Sequence, residues 1–320
     1  MLQVQNLSKN YQIGGSLLSR KREYVRAIDN VSFQIEGGEN FALVGESGCG
    51  KTTIARLILR LLWPTSGSVK FCGQNIYQLT HKQFNSLRRN IQLVFQDPFS
   101  SLNPRHTMRQ VLSRPLILNR KMAKSELEDH ILKLLEMVEL KPPEIYLDRY
   151  PHELSGGQRQ RLVIARAIAS EPKLVVADEP VSALDVSIRA QILKLLRNLQ
   201  QTLGMTYLFI AHDLAVVRAV SKVVAVMYQG KIVEITSTQK LFSNPLHPYT
   251  QMLLSAMPIL DPEASRTAKR IMAKGEVSTL FIPDKGCRFR NRCPYAKNIC
   301  DDVDPQLKEV EQRHQVACHL

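Results

Sequence analysis

Short apolar runs separated by helically spaced stretches set the rhythm of this chain. Phe41-Ala42-Leu43-Val44 lies between Gly37-Gly38 and Gly45, the pattern of a buried strand. From Thr52 the spacing turns helical, with Ile54, Leu57, Ile58, Leu61 and Leu62 predicted on one face and Pro64 and Gly67 ending the helix. Val69 to Ile76 and Ile91 to Gln96 read as further strands. Between about 97 and 170 the texture is helical and more charged. There Leu127, Ile131, Leu134, Leu135 and Val138 predict an amphipathic helix over Ser125 to Leu140, and Gln158 to Ser170 predicts another. Strand signals return at Leu174 to Ala177, Tyr207 to Ala211 and Val223 to Met227. Alternation of this kind implies an α/β fold, a mixed or parallel sheet covered on both faces, with 97–170 inserted as a helical subdomain. Beyond about 240, Pro245, Pro248, Pro258, Pro262, Pro283, Pro294 and Pro305 punctuate the chain, and apolar residues are too few for a generous core. The expected domains are therefore 1–240 and a small appended 241–320.

Composition narrows the setting. The 320 residues contain no run approaching the roughly twenty apolar positions that span a bilayer. Met1 to Tyr11 is polar and lacks the apolar centre of a secretory signal. A cytosolic chain whose membrane role comes through partners is expected. Forty-three Lys and Arg against 29 Asp and Glu leave a net charge of +14. The excess is spread over Arg20-Lys21-Arg22, Arg105 to Lys124, Arg266 to Lys274 and Arg288 to Arg292, with no basic stripe interleaved with aromatics. Nucleic acid is accordingly not expected as a partner, whereas an anionic inner leaflet would suit such a surface.

The chemistry begins at Gly45-Glu46-Ser47-Gly48-Cys49-Gly50-Lys51-Thr52, which fits G-x-x-x-x-G-K-[ST] between a strand and a helix. Glycines there let backbone N–H groups turn inward on a β-phosphate, and the helix N-terminus adds partial positive charge. Lys51 is expected on the β- and γ-phosphates, the Thr52 hydroxyl on Mg²⁺, and Thr53 beside them. Leu174-Val175-Val176-Ala177-Asp178-Glu179 brings two carboxylates to the end of a buried strand. Asp178 suits Mg²⁺, and Glu179 suits the general base for an attacking water.

Leu154-Ser155-Gly156-Gly157-Gln158 lies between these two motifs, and with it the chain resembles the ATP-binding cassette (ABC) ATPases in motif content and order. The resemblance implies that Ser155, Gly156, Gly157 and Gln158 cap the ATP of a partner subunit, and that Asp185, in Ser182-Ala183-Leu184-Asp185, lies in the loop crossing that interface. It implies further roles for Gln96 on Mg²⁺ and the lytic water, His212 on the γ-phosphate, and Tyr11 stacked on adenine. The fold implied is an ABC-type P-loop ATPase, active only as a dimer.

One set of motifs in one chain, without long coiled coils, favours a transporter ATPase over a soluble ABC protein of translation or DNA repair. Asp97-Pro98-Phe99-Ser100-Ser101-Leu102-Asn103-Pro104-Arg105, Asn244-Pro245-Leu246-His247-Pro248-Tyr249-Thr250 and Gly286-Cys287-Arg288-Phe289-Arg290-Asn291-Arg292-Cys293-Pro294 resemble the oligopeptide/dipeptide importer ATPases, closer to their F-type subunit. That resemblance implies ATP hydrolysis driving peptide import from the cytoplasmic face of the membrane. Its implied partners are a homologous ATPase subunit, two transmembrane permeases and an extracytoplasmic substrate-binding protein. Nickel or antimicrobial-peptide import shares the same architecture.

Cys287, Cys293, Cys300 and Cys318 are spaced C-x₅-C-x₆-C-x₁₇-C. A cytosolic setting argues against disulfides, and a core-poor segment with four thiols suggests a metal holding it together. Zinc sites usually show tight C-x₂-C pairs, absent here. A [4Fe–4S] cluster, zinc and free thiols all stay open on the residues alone; the importer resemblance implies the cluster. His314 and His319 read as bystanders, Cys49 as a loop filler and Cys72 as a core residue.

Overall fold

The computed structural model describes residues 1–13, 23–120, 122–258 and 285–320. The basic groups 20–22 and 266–274, Pro262 and Pro283 lie outside the described residues. Two compact units divide the chain: Met1–Ile35, Phe41–Tyr77 and Ala211–Leu320 form one, and Glu36–Asn40 with Gln78–Ile210 form the other.

The first unit carries two sheets. Leu2–Ile13 pairs antiparallel with Glu23–Ile35 on one side and Ser66–Phe71 on the other, and Gln74–Asn75 completes that sheet. In the second sheet Asn40–Val44 runs parallel to Val223–Tyr228, placing Phe41 opposite Val223 and Val44 opposite Val226. Lys231–Ser237, His314–Val316 and Lys308–Glu311 then continue antiparallel. The extension therefore adds strands to the edge of the sheet that carries the phosphate loop. Phe41, Leu43, Val224, Val226 and Met227 are fully buried in it, as a strand covered on both faces requires.

The second unit contains the parallel strands Ile91–Val94, Leu174–Asp178 and Thr206–Ala211, with Leu174 opposite both Ile91 and Thr206. Its helices include Met108–Arg120, Lys124–Met137, Gly156–Ile168 and Val186–Leu203. Ile131, Leu135 and Val138 are buried as the stripe predicts.

Three local expectations are corrected. The helix from the phosphate loop ends at Ile58, because Arg60 adopts a left-handed φ of 50°. Leu61 is thereby thrown off the buried face and is 50% exposed. Val69 to Ile76 is two strands, not one. Phe71 pairs with Gln74 around a Cys72-Gly73 turn whose residues both have positive φ, the geometry of a two-residue hairpin. Cys72 consequently sits at an exposed hairpin tip and not in the core.

Candidate functional site

In the first unit, strand Asn40–Val44 delivers Gly45 and helix Lys51–Ile58 departs from Gly50. Gly50 has φ of 108°, and a Cβ there would lie 2.6 Å from the Ala27 carbonyl oxygen, so only glycine fits. Lys51 is 5% exposed and turns back along its own loop. Its Nζ donates to the Gly45 and Glu46 carbonyls at 2.7 and 2.9 Å and approaches Cys49 Sγ at 3.7 Å. Burial pushes the Cys49 thiol up despite the neighbouring ammonium. A cavity beside the loop is lined by Arg26, Glu46, Ser47, Gly48, Tyr228 and Gln229. Thr52 is exposed and Thr53 half-buried at the helix start.

Tyr11 lies near the end of its strand, 38% exposed, with Lys9 Nζ 5.3 Å from its ring centroid. An exposed ring beside a cation can stack on a planar ligand. His212 is exposed after strand Thr206–Ala211, and the next residue, Asp213, caps helix Leu214–Val220 through Ala215 N–H.

The phosphate loop is also held by residues far along the chain. Arg292 reaches Glu46 with two parallel hydrogen bonds of 2.8 and 2.9 Å. Tyr249 Oη accepts the Glu46 backbone N–H at 3.0 Å. Tyr249 is the second residue of helix Pro248–Ser255, which His247 caps by accepting the Tyr249 N–H on Nδ1 at 3.0 Å. Burial drives the His247 imidazole down to about 4, keeping it neutral and able to accept. The three residues of His247-Pro248-Tyr249 thus have separable jobs: cap, helix start and loop anchor. Sequence reading used the segment only as a resemblance. Its signal was a histidine before proline at a helix N-terminus.

In the second unit, Asp178 ends a buried strand and Glu179 follows with φ of 45°. A left-handed, non-glycine residue is strained, and such strain concentrates where a side chain must be aimed. Gln96 Nε2 donates to Glu179 Oε2 at 2.9 Å, so two of the expected catalytic residues are brought together. Ser182 folds the following turn back by donating from both N–H and hydroxyl to the Glu179 carbonyl. That turn leads to an exposed Asp185 before helix Val186–Leu203.

Ser155 and Gln158 close a reciprocal cap on helix Gly156–Ile168: Gln158 N–H donates to Ser155 Oγ at 3.3 Å and Ser155 N–H to Gln158 Oε1 at 3.0 Å. Ser155 and Gly156 remain exposed. A Cβ on Gly157 would meet Ile188 Cγ2 at 2.8 Å, so this glycine lets helix Val186–Leu203 approach closely.

The four C-terminal cysteines line one cavity together with Phe289 and His319. Burial, opposed by a hydrogen bond at Phe289 and reinforced by the other three thiols, pushes Cys287 up to about 11. Cys293 and Cys318 are raised mainly by burial too. Grouped, buried thiols of this kind stay neutral unless a cation offsets their charge. Among the described residues, however, no set of three or more His, Cys, Asp or Glu side chains is arranged to hold a metal ion. The four cysteines expected as ligands thus share one cavity but do not form a ligand set. His314 is buried elsewhere, its Nε2 2.7 Å from Glu234 Oε1, and His319 Nε2 lies 2.9 Å from the Val303 carbonyl.

Comparison with known proteins adds to this geometry. The family model described as "ABC transporter" matches residues 28–182, and that of the "Oligopeptide/dipeptide transporter, C-terminal region" matches 233–300. The oligopeptide transport ATP-binding protein AppF of Bacillus subtilis (strain 168) is 48% identical over 321 residues, covering 100% of this chain and 97% of its own length. The di/tripeptide transport ATP-binding protein DppF of Pseudomonas aeruginosa (strain UCBPP-PA14) is 45% identical over 319 residues, covering 100% and 97%. Among solved structures, the dimeric post-hydrolysis state of the ATP-binding cassette MJ0796, bound to ADP and Pi, matches with TM-score 0.66 and 32% identity over 74% of this chain and 99% of its own. The cbiO1 structure from Clostridium perfringens matches with TM-score 0.66 and 29% identity over 76% and 90%.

Proposed function

The chain belongs to the ABC transporter family, and we propose that it is the ATP-hydrolysing subunit that powers peptide import through a membrane transporter, of the F type. The observation that carries this reading is full-length similarity to peptide-transport ATPases combined with a phosphate loop built on a buried strand and helix. Residues 1–240 form the nucleotide-binding domain with its helical subdomain at 97–170, and 241–320 the transporter-specific extension.

Roles follow from the chemistry. Gly45 to Thr53 hold ATP, with Lys51 exchanging its loop carbonyls for phosphate oxygens and Thr52, Gln96 and Asp178 serving Mg²⁺. Glu179 is the general base, oriented by Gln96. His212 contacts the γ-phosphate and Tyr11 the adenine. Ser155 to Gln158 and Asp185 act on the ATP of a homologous subunit, which the exposure of Ser155, Gly156 and Asp185 supports. Two permeases and a substrate-binding protein complete the assembly, with this chain peripheral on the cytoplasmic face. No helix among the described residues is long and apolar enough to cross a membrane.

A specific observation favours a second component. Cys287, Cys293, Cys300 and Cys318 share one cavity, burial raises the thiols of Cys287, Cys293 and Cys318, and an iron–sulfur cluster would be held there by the four as thiolates. Its contribution would be to staple a segment short of apolar core. Zinc sites usually show tight C-x₂-C pairs, which these four cysteines lack. Anaerobic purification with iron, sulfide and zinc analysis tests this: stoichiometric iron and sulfide are expected, and zinc without iron overturns the cluster.

The function itself is tested by co-purifying the chain with its membrane partners and measuring ATPase activity against candidate solutes. Stimulation by peptides is expected. Stimulation by nickel and not by peptides, or co-purification with ribosomes or DNA, overturns the reading.

A further inference from the structure

Glu46 places a carboxylate inside the loop that must hold a polyanion. A bare negative charge there would repel phosphate oxygens through a poorly screened, partly buried path. The chain answers it from the other end. Arg292, 8% exposed, grips Glu46 with a two-bond fork at 2.8 and 2.9 Å. Its guanidinium also lies 5.8 Å from the Tyr228 ring centroid and 5.9 Å from that of Phe289, contacts that hold its plane. The Glu46 carboxylate raises the Arg292 guanidinium still further above its already high range, so it is always charged.

A second arm runs from the same segment. Arg288 donates to the Gln229 carbonyl and to Asp29. The adjacent Gly230 N–H donates to the Cys49 carbonyl of the phosphate loop at 2.9 Å. Between the two arginines, Phe289 packs edge-on against Tyr228 at 5.2 Å and against Tyr249 at 5.4 Å, and Tyr249 in turn holds the Glu46 backbone. Cys287 to Cys293 therefore forms a brace outside the phosphate loop.

We propose that Arg292 is a positioning residue for ATP binding: it neutralises Glu46 and fixes the first turn of the phosphate loop, tying nucleotide affinity to the cysteine-bearing segment. The proposal rests on the ATPase reading above. Neutralisation makes a distinctive prediction. Arg292→Gln leaves an uncompensated carboxylate and harms binding more than Glu46→Gln, which removes the charge and the fork together.

The test is equilibrium titration of the full-length chain with MgATP, alongside thermal unfolding of each variant. Arg292→Gln is expected to weaken binding by on the order of tenfold, as for loss of one charge-assisted fork. Arg292→Lys, which keeps charge without the fork, falls between it and wild type. Adding Glu46→Gln to Arg292→Gln restores affinity to that of Glu46→Gln alone, a rescue that a purely structural arginine would not show. Wild-type affinity in Arg292→Gln, or a double variant that binds no more tightly than Arg292→Gln, overturns the proposal. Failure of the wild-type chain to bind MgATP overturns the ATPase reading instead.

Discussion

Two helices of this chain begin on glycine-rich loops, and the two loops are finished in different ways. Both present a helix N-terminus, which carries partial positive charge and inward-facing N–H groups suited to an anion. The loop before Lys51 has Gly45 and Cys49 buried and Ser47 and Gly48 exposed, and its Glu46 is tied by residues 203 and 246 positions away, Tyr249 and Arg292. The loop at Ser155 to Gln158 is held by its first and last residues capping one another, and its first two are exposed. One device is completed within the chain. The other presents its first two residues outward, as the proposed action on a neighbouring subunit's ATP requires.

The largest effect is expected at the proposed base. Glu179→Gln keeps the Gln96 contact sterically but cannot take a proton. ATP turnover of the assembled transporter is expected to fall about 10²- to 10⁴-fold while ATP binding persists, read by trapped closed dimers. Wild-type turnover in that variant would remove Glu179 from its role.

Ser155 distinguishes own site from partner's site. Ser155→Ala should leave MgATP binding by the isolated chain within about twofold of wild type, while turnover of the assembled pair drops about tenfold, the scale of one lost hydrogen-bond donor to charge. Equal loss of binding in the isolated chain would mean the two loops serve the same nucleotide. The same change removes a cap and lowers thermal stability by about 1 kcal/mol.

Gly157 tests how the second loop is supported. Gly157→Ala forces a methyl into Ile188, 2.8 Å from Cγ2, and about 1–3 kcal/mol of stability should be lost in denaturant unfolding. Shortening the opposing residue by Ile188→Ala in the same chain should recover part of it.

The last test concerns the brace of the first loop. His247 is depressed to about 4 in the folded chain against 6.5 in the free side chain. Between those values the unfolded chain binds the extra proton, so stability rises with pH from about 4 to 6.5 and is lost on acidification. His247→Gln should flatten that segment of the pH profile; an unchanged slope would assign it to other groups.

Much of this was legible from local pattern. The run Phe41 to Val44 and the stripe Ile131, Leu135, Val138 became a buried strand and a buried helix face, because periodicity reports which side of an element meets the core. Gln96 and Glu179 each stand out in the sequence, and their hydrogen bond to each other is seen only in the structure. Leu61 and Cys72 misled for a physical reason: one left-handed residue, Arg60, ends a helix that its hydrophobic spacing would extend, and Cys72-Gly73 makes a tight hairpin without the usual Asn or Asp. The cysteines predicted a shared place and not its geometry.

The sequence by itself therefore determined the elements, the phosphate loop, the acidic strand end and the family, since each is written in residues within a few positions of one another. Only the tertiary structure decided what stands behind the loop. Arg288, Phe289 and Arg292 read as part of a basic tail until sheet pairing of Lys231–Ser237 with His314–Val316 and burial of Tyr249 bring them to Glu46 and Gln229. A charge pair separated by 246 positions leaves no periodic trace in the chain, because its two halves become neighbours only after the core between them has packed.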